Sequence, residues 1–182
     1  FLGGAQATYE ALKTGTIDVA FLREAAVVDQ AKKDGLDGTS TVMTLGEMIL
    51  MNAGVEVTCA GGKPEPLCTG KADNTKVATV TPGSNKKVRQ AIAAAVDIGV
   101  IDQRSNERKG IVANSVFDAQ FPWNPNVSWP KPNVDQAKKL VQEAKAEGWN
   151  GKIRLSCNNT PQRQGTSISL TTMLTAAGIE VD

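Results

Sequence analysis

The chain has 182 residues, 41% of them hydrophobic and 21% charged, which is room for one sizeable core in an ordinary globular composition. Its 20 basic and 19 acidic residues nearly cancel, and the lysine pairs at 32–33, 86–87 and 138–139 are separated, so the concentrated basic face that nucleic acid needs is excluded. There is no histidine and no run approaching roughly 18 apolar residues, which excludes histidine-based catalytic triads and a membrane-spanning helix.

In chain order, the spacing predicts a helix over 6–14, stopped by Gly15, and then a buried strand over 17–21. A helix over 25–33 follows, with Glu24 at its start and Lys32 and Lys33 at its end in agreement with the helix dipole. Residues 41–52 are rich in strand formers interrupted by Gly46, which predicts two strand pieces joined by a bend or bulge. Residues 55–81 read as an inserted loop or hairpin. Next comes an alanine-rich helix in which Val88, Ala91, Ile92, Ala95 and Val96 recur at i, i+3, i+4, i+7 and i+8, one continuous apolar stripe. Ser84 or Asn85 can cap it, and Asp97 can cap a short helix from 98 to about 104. Lys86, Lys87 and Arg89 oppose the dipole of the striped helix, so a carboxylate partner is expected for Arg89.

The span 109–132 holds four prolines with Phe117, Phe121, Trp123 and Trp129, and reads as a surface crossing pinned by aromatics. Asn133 followed by Gln136 is a capping box for a helix whose inward face is Ala137, Leu140, Val141 and Ala144. After Gly148, residues 152–157 alternate as a half-buried strand, 161–177 read as a helix, and Gly178 stops it before a strand at 179–181. Helices alternating with strands imply an α/β fold with a mixed sheet flanked by helices. No internal repeat is present.

Cys59 and Cys68 bracket a Gly- and Pro-rich segment that lets its ends meet, so a disulfide closing this loop is expected in an oxidising compartment. The alternative is two free thiols in a cytosolic loop. Cys157 alternates with Ile153 and Leu155 and reads as a buried strand residue. With no histidine and only three cysteines, no metal site is expected. Glu143 and Glu147 read as the exposed side of a helix, paired with nearby lysines rather than poised as a catalytic acid and base. Gly3-Gly4 and Gly61-Gly62 lack a phosphate-loop pattern. No enzymatic activity and no cofactor are expected.

Five motifs stand in one order along nearly the whole chain: Leu12-Lys13-Thr14-Gly15-Thr16-Ile17-Asp18; Met48-Ile49-Leu50-Met51-Asn52; Val88-Arg89-Gln90-Ala91-Ile92-Ala93 through Asp97; Ala137-Lys138-Lys139-Leu140-Val141 through Gly148-Trp149; and Gly178-Ile179-Glu180-Val181. Together they resemble the family 5 extracytoplasmic solute-binding proteins of ABC importers, the oligopeptide-, dipeptide- and nickel-binding group. The resemblance implies one lobe of a class II periplasmic-binding-protein-like fold, with residues 1–182 as the second, inserted lobe of a two-lobed protein and 55–81 as a disulfide-closed insertion within it. The chain then reads as an excised piece whose first lobe is missing, and no secretory leader is visible in it.

As implied partners, the resemblance supplies a peptide or similar small solute, an ABC permease in the membrane and the missing first lobe of the same chain. The implied location is extracytoplasmic, with a lipid anchor on the full-length protein. In oligopeptide-binding relatives the strand before the asparagine lines the cleft with aromatics; the corresponding positions are Met43 and Met48, a softer apolar wall, with core packing as the alternative role. Leu22 and Arg23 are further candidate ligand contacts, because α/β folds place ligands at strand ends. For Arg23 the alternative is plain solvation, and Trp123 and Trp149 either stack on a ligand or anchor a loop and a helix end. A non-peptide solute such as a metal chelate, glycoside or opine, and a sensory receptor module uncoupled from transport, are the competing functions.

Overall fold

A computed structural model describes residues 3–39, 48–110, 112, 115, 117 and 121–182. The described chain contains α1 (Ala5–Lys13), α2 (Ala25–Lys33), β1 (Glu56–Thr58), β2 (Lys76–Ala78), a 3-10 turn (Pro82–Ser84), α3 (Lys86–Ala95) and α4 (Ile98–Ser105). These are followed by α5 (Val134–Ala146), β3 (Lys152–Ile153), α6 (Pro161–Ala176) and β4 (Glu180–Val181). The chain divides into two compact units, one made of Phe1–Gly46, Asp97–Trp129 and Cys157–Leu170, the other of Glu47–Val96, Pro130–Ser156 and Thr171–Asp182.

The second unit holds the larger core. The predicted stripe of α3 is buried at Val88, Ala91, Ile92 and Ala95, joined by Ala94, and meets Ala137, Val141 and Ala144 of α5 and Leu174, Ala177 and Ile179 around the end of α6. Alanines on both facing surfaces let the backbones of α3 and α5 come close, so dispersion contacts stand in for bulky side chains. Asn85 accepts from Lys87 N at 2.8 Å and Asn133 accepts from Gln136 N at 2.9 Å, so α5 begins at its expected cap and α3 takes Asn85 of its two candidates, Ser84 and Asn85. Lys87 reaches Glu147 at 2.7 Å and Glu143 at 3.1 Å. The two glutamates are therefore paired across helices, with a lysine of α3 rather than neighbours on α5.

The expected partner of Arg89 is corrected. Its Nη1 donates to the carbonyls of Gly83 at 2.7 Å and Ser84 at 3.1 Å, because the chain entering α3 turns its carbonyl oxygens toward this side chain.

Strand pairing is antiparallel between β1 and β2 and parallel between β3 and β4, in two separate ladders. The first is a hairpin whose far end is closed by a Cys59–Cys68 disulfide, Cα atoms 5.4 Å apart and both cysteines fully buried. The second is shorter than the predicted strand over 152–157: Leu155 N still donates to Asp182 O at 2.7 Å, after which the chain is irregular. Cys157 is exposed, a correction to its expected burial: it lies past the described β3, in irregular chain.

In the first unit Tyr9, Val27 and Ala31 form a small core between α1 and α2, with Ala5, Leu22 and Leu36 packed on it. Helix α4 starts at Asp97, whose Oδ1 accepts from Gly99 N at 2.8 Å, and meets the first part of α6 through Thr166 Oγ1 to Ser105 Oγ at 3.1 Å and Gln162 to Asn106 at 2.6 Å. No strand forms over 17–21; Val19 is 87% and Phe21 66% exposed. An apolar run becomes a strand only where another strand takes its backbone hydrogen bonds, and none of the described residues does so here. The same correction holds for 48–52, while 40–47, including Met43, lie outside the described residues.

Candidate functional site

Residues 48–52 lead into the hairpin of the second unit and carry its most apolar exposed surface. Met48 is 62% and Leu50 84% exposed, whereas Met51 is half-buried against the α3–α5 core. Ile49 is exposed as well, so three consecutive apolar side chains before Met51 face solvent. The segment ends at Asn52, whose Oδ1 accepts from Gly54 N at 3.0 Å and whose carbonyl oxygen accepts from the Thr81 hydroxyl. Behind it lies Gly83: a Cβ there would stand 2.3 Å from the Asn52 carbonyl oxygen. Gly54 is likewise closed in, with the Thr79 carbonyl oxygen 2.3 Å from the position of a Cβ. The tetrapeptide before α3 was legible as a cap, but the close backbone approach at Gly83 was not; a Pro-Gly pair in front of an asparagine cap is the signal that could have pointed to it.

The other predicted contacts are distributed differently. Leu22 is half-buried on the Tyr9–Val27–Ala31 core, and Arg23 beside it is exposed. These two belong to the first unit and Met48 to the second. Trp149 donates from Nε1 to Lys152 O at 3.1 Å and packs on the main core, so it anchors the end of α5. Trp123 stacks on Phe121 with ring centroids 5.1 Å apart, yet Trp123 is 64% exposed and Trp129 is exposed as well, so these tryptophans do not anchor the crossing to a core.

The first unit carries an open concavity of about 370 Å³, lined by Tyr9, Glu10, Val27, Gln30, Glu107 and Lys109 among others. Its charges satisfy one another. Lys109 lies 2.7 Å from Glu107 and 3.3 Å from Asp29: Glu107 raises the lysine's pKa and is itself lowered by it, while the Asp29 carboxyl is lowered first by Lys33 at 2.9 Å and then by Lys109. At its edge Asp34 accepts from Lys13 Nζ at 2.7 Å, from the Tyr9 hydroxyl and from Gln30 at 2.9 Å, and these bonds hold its carboxyl at about 2. Carboxylates pinned in the ionised form beside ammonium groups do not exchange protons near neutral pH, so this cluster is an electrostatic tie between α1 and α2. Among the described residues no group of three or more cysteine or acidic side chains converges in a way that could hold a metal ion.

Among the described residues, then, this α/β chain carries an exposed apolar segment that ends at Asn52. The family model for bacterial extracellular solute-binding proteins, family 5 middle region, matches residues 2–182, and the chain belongs to that family. The class is thus a solute-binding and extracytoplasmic one. Among solved structures, the ABC transporter substrate-binding protein CtaP of Listeria monocytogenes is similar over 97% of this chain and 32% of its own, with 16% identity and a TM-score of 0.53, a likeness in fold. The periplasmic binding protein AgaA of A. tumefaciens R10, solved with agropinic acid, aligns with 56% of this chain and 21% of its own at 26% identity and a TM-score of 0.47. The chain therefore spans well under half the length of either. None of the curated proteins compared matches it.

Proposed function

We propose that residues 1–182 are the second lobe of a two-lobed extracytoplasmic solute-binding protein that hands a peptide or similar small solute to an ABC permease. The observation that carries this is the family match across residues 2–182. The lobe supplies one wall of a cleft; the other lobe closes over the solute, contacts made only in the closed state stabilise closure, and the closed form docks on the permease. A lipid anchor on the full-length protein keeps it near that permease.

Within the lobe, Met48 is the proposed wall residue, supported by its exposure beside the Asn52 turn, and Met43 is assigned the same role by its place in the sequence. A thioether wall adapts to apolar groups of varied shape. Arg23 is proposed as a charged contact and Leu22 as its apolar seat. Mass spectrometry of whatever co-purifies with the full-length protein tests the reading: bound peptides support it, a homogeneous non-peptide solute redirects it to that cargo, and a full-length protein recovered without solute that binds neither peptides nor membrane permease overturns it.

A further inference from the structure

The 3-10 turn Pro82–Ser84 connects parts of the second unit that are distant in sequence. The turn is closed on itself: Ser84 N donates to Thr81 O at 3.0 Å and Ser84 Oγ to the same oxygen at 2.6 Å. On one side Arg89 Nη1 holds its carbonyls at Gly83 and Ser84. On the other the Asn52 backbone rests on it, with the Asn52 carbonyl carbon only 2.9 Å and its oxygen 2.3 Å from where a Gly83 Cβ would be. The Thr81 hydroxyl donates to that oxygen as well. Asn52 is the last residue of the segment that carries Met48 and Leu50.

A cation in the first turn of a helix is opposed by the dipole, so Arg89 gains elsewhere what it loses there. The gain lies in two carbonyls outside the helix, which a planar guanidinium with several donors can hold together. Since both carbonyls belong to the turn, the side chain fixes the turn's orientation relative to α3. The turn in turn presents a surface without a side chain at Gly83, and the Asn52 backbone fills it.

We propose that Arg89 is a positioning residue for the ligand wall: through the Pro82–Ser84 turn and Asn52 it sets where Met48 and Leu50 stand relative to the α3–α5 core. This rests on the reading of Met48 as a wall residue given above. Neither Arg89 nor Gly83 touches solute; both act by placing backbone.

The four methionines, Met43, Met48, Met51 and Met173, permit a test without a ligand, by methionine-methyl NMR of this chain. In Arg89→Gln the Met48 and Met51 methyl signals move by more than a linewidth while Met173 on α6 stays in place. A side chain with only a stabilising role lowers the melting temperature but leaves the exposed Met48 methyl where it was, and that result overturns the proposal. Thr81→Val, which removes the hydroxyl's bond to Asn52 and its part in the capping box with Ser84, keeps the test decisive if Arg89→Gln fails to fold: movement of the same two signals supports the proposal, and their constancy overturns it. The wall itself is tested separately with a random tripeptide mixture on the full-length protein. There Met48→Ala weakens binding about tenfold; unchanged affinity removes the wall, and the methyl shifts alone then decide whether Arg89 positions the segment.

Discussion

Asp34 is a carboxylate whose surroundings change its titration. Lys13 first, then Tyr9 and Gln30, favour its ionised form and hold its carboxyl at about 2, below the ordinary 3.8. A carboxyl whose pKa is depressed by folding contributes stability above its unfolded pKa and loses it as pH falls through the folded value. The tie between α1 and α2 is therefore expected to weaken between pH of about 4 and 2, and Asp34→Asn to remove that part of the acid dependence. Thermal melts at pH 5, 3 and 2 for the two proteins check it, with parallel curves counting against the assignment. Gly54 carries a second prediction at this scale. It has φ +80 and the Thr79 carbonyl where a Cβ would go, so Gly54→Ala forces the hairpin base to shift and should destabilise by more than about 1 kcal/mol in denaturant unfolding. The identities of Asn85, Asp97 and Asn133 were legible as caps because capping is a local bond between a side chain and an amide two or three residues on. The partners of Arg89 were not legible, since carbonyls outside the helix carry no residue-type signature.

At the scale of elements, the hairpin and the striped helix make the sharpest expectations. Cys59 and Cys68 are bridged and Cys157 is exposed, so intact-mass analysis should find one alkylatable thiol without reductant and three after reduction. Closing so short a loop stabilises by roughly 2–3 kcal/mol in the loop-entropy account, and Cys59→Ser should lose about that much. In α3, Ile92 is buried among alanines and valines of α5 and the end of α6. Ile92→Asp places an unpaired charge there and should abolish the cooperative melt of the unit, while an unaltered melting curve would contradict the packing. Helices were readable element by element because a helix satisfies its own backbone and needs from the sequence only a stripe and caps. The runs at 17–21 and 48–52 have strand composition and form no strand, since a strand is completed by a neighbour that its own residues do not specify. Cys157 was misplaced for a related reason: alternation with Ile153 and Leu155 says which way a strand residue would face, not whether the residue lies in a strand.

For the whole molecule the controlling quantity is how much of a ligand one wall can cover. A solute cleft buries most of its ligand, and half of a cleft forfeits the contacts that closure adds. The isolated chain is accordingly expected to show no submicromolar affinity for a random tripeptide mixture by calorimetry, and a tight complex would contradict its assignment as one lobe. Exposed Val19, Phe21, Met48 and Leu50 are surfaces on which such a protein would have to bury something else.

Class and helical framework were settled by local information: five motifs in order, an apolar stripe, and short-range caps each depend on residues a few positions apart. That the apolar runs at 17–21 and 48–52 form no strand among the described residues, which carbonyls Arg89 grips and how the Asn52 backbone seats on Gly83 were decided only in three dimensions, because each depends on atoms brought together from distant parts of the chain.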